Sequence, residues 1–310
     1  MRTVGPMGDA LALLALLLFA VNAFVVRAAG RRLEQGLGFL VSLVVNVVVG
    51  GALLGGRLLL GDEALRVDWP AFWMFLLAGV FSGYLGRRGY FRSVEMLGPS
   101  RASAVQAANP MFTMVFAWVL IDQALTWVDV AAILVIVVGV YLTNRRSDRL
   151  APSSHAGESV GETARERLAL LAPAVVATAS YGLGNVLRGG AVEDWNEPIA
   201  GGVLGAVSAT LAYLLLHISP RGFAARVRRA DRRGVAWWTL TGALTIGGQM
   251  AVIGSAAHLD VAVAVAISSA LPMIVIPVSV VVLRIREGVT TVTALGAALI
   301  SGGVAWLVLL

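Results

Sequence analysis

The chain has 310 residues, of which 58% are hydrophobic and 14% charged, with a formal net charge of +6. So few charges could not cover the apolar surface of a water-soluble domain of this length, and in a bilayer a basic excess sets orientation, so it does not mark a nucleic-acid partner. There is no cysteine, which excludes disulfides, thiolate metal sites and cysteine nucleophiles.

Ten apolar stretches follow one another, each long enough to cross a hydrocarbon core about 30 Å thick. The first, 10–26, is preceded by one arginine and followed by no small-residue cleavage site, so it reads as a span and not as a removable signal peptide. It carries Asn22, whose amide has several hydrogen-bonding positions to satisfy and therefore faces protein or a wet cavity, not lipid. The second, 36–60, contains "GALLG" (51–55), a GxxxG pattern that the abundance of glycine explains by itself. The third, 71–90, runs into "GYLGRRGYFR", and its arginines raise the first question of function. Arg87, Arg88 and Arg92 either anchor the end of the span by snorkelling to the interface or line an anionic vestibule. Tyr84 precedes Arg88 by four residues, on the same helical face.

The fourth span, 102–121, holds "QAANPM". A proline in a helix interior removes one hydrogen bond and frees the carbonyl four residues back, here that of Gln106. Gln106, Asn109 and Pro110 thus form a candidate polar station near the midplane. The fifth span, 127–143, closes the first half. A polar stretch, 144–167, rich in Ser, Gly, Pro and mixed charge, reads as a cytoplasmic linker.

In the second half the sixth span, 168–187, carries Thr178, Tyr181 and Asn185, and Arg188 falls in the loop after it. The seventh, 198–216, contains a second GxxxG, "GGVLG" (201–205), and is followed by the basic run "PRGFAARVRRADRRG" (220–234), expected to touch anionic lipid. The eighth, 236–256, bears Thr245 and Gln249. In the ninth, 261–283, Ser268, Ser269 and Pro272 repeat the pattern of the fourth, with the freed carbonyl on Ser268. The tenth is 289–310. No span has a carboxylate at its centre, which favours a facilitator or exchanger over a proton-driven pump. No metal cluster, cofactor motif or nucleophile–base pair appears in the spans, so neither a cofactor nor an enzyme activity is expected.

The halves resemble each other. Shifted by 162 residues, 86–111 lies over 248–273 with eight of 26 positions identical, among them Gly86, Pro110 and Met111. An odd number of spans per copy requires the second copy to enter the membrane inverted, and the arginines agree. Arg27, Arg31 and Arg32 face Arg188 alone in the equivalent loop, Arg57 and Arg66 face six arginines between 221 and 233, and Arg87, Arg88, Arg92 and Arg101 face none. With the linker counted, one face collects 20 arginines and the other 4, which puts both termini outside the cytoplasm. The expected fold is therefore an all-α integral membrane protein of ten transmembrane helices in two inverted five-helix repeats, 1–143 and 168–310.

The stretches 90–142 and 267–306, each with its proline-bearing fourth helix and short glycine–aliphatic fifth helix, carry a resemblance to a known family. The chain resembles the drug/metabolite transporter superfamily, specifically proteins with tandem EamA-type domains, over essentially its whole length. It departs from their pattern in having Gln123 beside Asp122, and a displaced Glu287, where members usually have a glutamate after the fourth helix. The resemblance implies a multi-pass protein of the cell membrane that moves a small solute by alternating access. Hydroxyls and amides without a central acid favour a small metabolite or amino-acid-like solute, and an organic anion if the arginines line the path. A lipid translocator and a non-transporting scaffold are the alternatives. The partners are then the substrate and the bilayer. One chain holds both halves, so a monomer suffices, and a dimer stays open.

Overall fold

The computed structural model describes residues 6–61, 65–97, 106, 108–122, 124, 126–145, 164–217 and 230–271, with scattered positions from 274 to 306. Among them all regular structure is helical: α1 (Pro6–Gly30), α2 (Gln35–Leu60), α3 (Trp69–Ala78), a π-helical segment (Gly79–Gly86), α4 (Arg87–Leu97), α5 (Asn109–Leu120), α6 (Trp127–Arg145), α7 (Ala164–Asp194), α8 (Pro198–His217), α9 (Arg232–Ala256) and α10 (Val261–Ser268). Pro6–Gly30, Gln35–Leu60, Trp69–Tyr90 and Pro198–His217 are long and apolar enough to cross a membrane, and shorter apolar helices accompany them.

Local chemistry sets the helix starts. Asp68 caps α3 by accepting from the backbone N–H of Ala71 at 2.9 Å, with Pro70 in the first turn. Asp231 caps α9 through the N–H groups of Arg233 and Gly234 at 3.1 and 3.2 Å. In both cases a carboxylate meets N–H groups that the helix itself cannot satisfy.

The helices pack across the two halves of the sequence. α1 lies along α9, and α2 against α8 and α9. α7 packs on α3, the π segment, α4 and α5, while α10 touches α1 and α5. The largest apolar core, with Phe75, Met114, Val186, Ile253 and Val265, is shared between halves. Its outer surface is the reverse of a soluble protein's, with Leu13, Leu17, Val48, Trp73, Trp118 and Leu215 all exposed. Such a shell suits lipid, and the exposed Trp69 and Trp127 at the starts of α3 and α6 fit the interfacial aromatic belt.

Several expectations change. The third span does not stop at 90: the helix passes through the π segment and continues to Leu97, so Arg87 and Arg88 are followed by a further stretch of helix. The sixth is a 31-residue helix that ends at Asp194, which puts Arg188 inside it and not in a loop. Pro110 stands in the first turn of α5, where a missing N–H costs nothing, so it frees no carbonyl of a continuous helix. α10 ends at Ser268 and the chain turns there, while Pro272 lies outside the described residues. Helix covers 144–145 and 164–167, and the linker between them also lies outside the described residues.

The two GxxxG patterns part ways. A side chain at Gly51 or Gly55 would meet nothing within 4 Å, whereas Gly201 lies against Phe75 and Gly205 against Gly79, so only the second pattern is a helix contact.

Two ion pairs join connections remote in sequence. Arg57 at the end of α2 donates to Glu197 just before α8, and Arg32 after α1 lies 3.7 Å from Asp231 before α9. Losing one partner of a buried pair costs about 3–5 kcal/mol and of an exposed pair under about 1. The half-shielded Arg57–Glu197 pair falls between. Arg57→Glu should therefore lower the thermal midpoint, and adding Glu197→Arg should restore most of the loss. An additive second loss would mean that the pair contributes nothing.

Candidate functional site

The chemistry gathers where the π segment, the start of α4, and α7 and α8 meet. A π-helix bonds each N–H five residues back and is a frequent companion of functional sites. Here the extra residue per turn is accommodated beside three glycines, Gly79, Gly83 and Gly86. At Gly79 the backbones of the π segment and α8 touch: a Cβ there would lie 2.5 Å from the Cα of Gly205.

α7 presents Tyr181, Asn185 and Arg188 at spacings of four and three, one stripe of a helix face. The Tyr181 ring covers Gly86, whose missing side chain leaves the room; a Cβ would come to 2.9 Å from Tyr181 Cδ2. That seat places the Tyr181 ring against the residue immediately before Arg87, on the same stripe of α7 that carries Arg188. Arg188 is only 7% exposed. One guanidinium nitrogen, Nη2, lies 3.8 Å from where a Gly205 Cβ would stand, and Gly205 in turn meets Gly79. Gly79 and Gly205 are near the middles of the spans Trp69–Tyr90 and Pro198–His217, so this charge sits at mid-depth. No carboxylate pairs with it among the described residues; Glu193 and Asp194 on the same helix are exposed.

From Arg87 a row of rings leads outward. Its guanidinium carbon lies 5.3 Å from the Phe39 ring centroid, Phe39 meets Tyr213 edge-on at 5.3 Å, and Tyr213 stacks on His217 at 5.1 Å. His217 Nδ1 is 3.3 Å from the buried Tyr84 hydroxyl. The three arginines of the opening motif thus divide: Arg87 is half-buried against Phe39, while Arg88 and Arg92 are exposed.

The other expected residues lie in different places. Asn22 donates to Thr245 Oγ1 at 3.4 Å across the α1–α9 seam, and its Oδ1 is buried without a partner among the described residues. Gln106 Oε1 is likewise buried and unpartnered, so each can accept another hydrogen bond. Asn109 Oδ1 receives Thr113 Oγ1 at 3.5 Å, and Pro110 is buried beside it. Ser268 donates to the Val265 carbonyl at 3.1 Å, satisfied within its own helix. Ser269 caps the end of α10, and Gln249 is half-buried on α9. Sequence reasoning missed Arg188. The available signal was its place at i+7 from Tyr181 and i+3 from Asn185, with apolar "GGAV" continuing after it.

Comparison with known proteins adds the following. Residues 6–145 match the EamA-like transporter family. No curated protein matches the chain. Twenty-six solved chains match; one, described only as "Crystal structure of protein", aligns over 96% of this chain and 95% of its own with a TM-score of 0.68 and 19% identity, a likeness of fold.

Proposed function

Because residues 6–145 are an EamA-like transporter family domain, we propose that this multi-pass membrane protein is a secondary transporter of the cell membrane, not an enzyme, that carries a small metabolite by alternating access between two inverted five-helix repeats. The observation that carries this reading is a pair of equivalent contacts. Gly86 receives the Tyr181 ring, and 162 residues later Gly248 receives Phe19, a Cβ at Gly248 falling 2.5 Å from Phe19 Cε1. Tyr181 and Phe19 are themselves 162 residues apart, so each half offers its first helix to the third helix of the other. α2 and α8, second helices of their halves, pack on each other as an internal two-fold requires.

Sidedness supports inversion. Arg32 pairs with Asp231 and Tyr84 with His217 on the face rich in arginine, while Arg57 pairs with Glu197 on the face poor in it. Both contact sets join a loop of one half to the oppositely numbered loop of the other, as inverted copies demand. The substrate path then runs between the halves, past Tyr84, Tyr181, Asn185 and Arg87 on one side and Asn22, Gln249, Gln106, Asn109 and Ser268 on the other. The helix breaks at Ala108 and Ser269 supply irregular backbone, which membrane proteins tolerate where it lines a polar path.

The cysteine-free sequence offers a clean test. A single cysteine replacing Asn185 should react with a membrane-impermeant maleimide added from either face of oriented vesicles, since alternating access opens the station to each side in turn. Reaction from one face only, whatever solutes are present, would rule out alternating access at this position.

A further inference from the structure

We infer that Arg188, with Arg87 and Tyr181, is the station that binds the oxyanion group, carboxylate or phosphate, of a small organic anion, and that this anion is the substrate class. The inference rests on the transporter reading and adds to it the charge of the cargo.

Depth argues first. A guanidinium at mid-bilayer is costly, and intramembrane charges are kept for ion or substrate handling or for pairing. Arg188 is buried, sits at mid-depth, and has no acid partner among the described residues. A second guanidinium, Arg87, follows the glycine that the Tyr181 ring covers, and Tyr181 shares a helix stripe with Arg188. An anion bound beside the buried Arg188 guanidinium would supply the counter-charge that no described carboxylate gives. Planar guanidinium forks and a phenol are the donors that carboxylate and phosphate oxygens take.

The internal repeat provides the control. The equivalent niche in the other half holds Phe19 where Tyr181 stands, Gln249 in place of Arg87 and Val26 in place of Arg188. It makes the same ring-on-glycine contact with a neutral Gln249 in place of Arg87. The contact therefore does not need a cation at the position of Arg87, which is charged in one half only. A symmetric packing role would require both.

Counterflow into proteoliposomes tests this with defined probes: benzoate and succinate for carboxylates, glycerol 3-phosphate for phosphate, phenylalanine for a zwitterion and tetraethylammonium for a cation. The expected result is saturable counterflow of at least one anion, faster than the zwitterion or cation, that falls about 100-fold in Arg188→Met and less in Arg188→Lys, the loss expected when one buried charge-assisted contact goes. The carboxylate and phosphate arms tell the two sources of the oxyanion apart. Anion counterflow unchanged in Arg188→Met overturns the assignment of the site. Counterflow of the zwitterion or cation alone overturns the substrate class while the transporter reading stands. Counterflow of no probe, in vesicles that contain the folded protein, overturns both. Arg66→Gln, an exposed arginine remote from the station, is the variant expected to match wild type.

Discussion

Gly79→Leu yields no stable, monodisperse protein, the largest effect expected of any single substitution here. A Cβ at position 79 meets the Gly205 carbonyl oxygen, the Gly205 Cα and the Ser208 hydroxyl, all inside ordinary contact distance. Two of these are backbone atoms of α8, so no rotamer change relieves them. The helix itself has to retreat along the whole π-segment seam, which also carries the Gly83–Ala209 contact. Overpacking a tight interior costs about 1–3 kcal/mol when neighbours can adjust, and here they cannot, so the loss exceeds the top of that range. Close approach through small residues is also what holds helices together in lipid, where burial of apolar surface gives no net drive. Size-exclusion chromatography after extraction reads the outcome. Gly51→Leu, in an open position of the other GxxxG pattern, is expected to behave as wild type. A normal Gly79→Leu profile would mean that the π segment and α8 are not in backbone contact.

Arg188→Met should be more thermostable than wild type while losing function. Replacing a buried ion pair with apolar residues of similar volume is often neutral or stabilising by about 1–4 kcal/mol, and here no described partner's attraction is forfeited. Here the gain comes from no longer burying a guanidinium that has no acid partner among the described residues. A functional charge held against the preference of its surroundings gives this opposite movement of stability and activity. A structural arginine with a protein partner would behave the other way. A midpoint several degrees lower for Arg188→Met would show that the guanidinium holds the fold together, and the substrate station would have to be sought elsewhere.

Much of the helical pattern was legible in the sequence because hydropathy reports directly on what lipid requires. The positions of α2, α6 and α8 follow the apolar runs closely, and the match of 86–111 to 248–273 anticipated that Gly86 and Gly248 do the same work. What the pattern could not give was depth at the ends of the polar-rich helices. Arg188 ended the apolar run 168–187, and a run is cut wherever a charge appears, whether the charge is in water or buried. The π segment was equally invisible, since its residues are as apolar as those of α3 and differ only in hydrogen-bond register. Pro110 was placed correctly in the chain but misjudged in role. Proline reads alike as a kink and as a first-turn residue, and only the start of α5 at Asn109 distinguishes them. The division among Arg87, Arg88 and Arg92 depended on Phe39, which lies 48 residues away in sequence and comes close only through tertiary packing.

The proposed station is an uncompensated cation at mid-depth between the two halves. Its most direct test is anomalous diffraction from crystals of the wild-type protein grown in bromide, an anion that reports the electrostatics whatever the natural cargo. A bromide peak beside the Arg188 guanidinium, absent in Arg188→Met crystals, is the predicted result. An Arg188 side chain paired with a protein carboxylate, with bromide confined to the exposed Arg88 and Arg92, would contradict it.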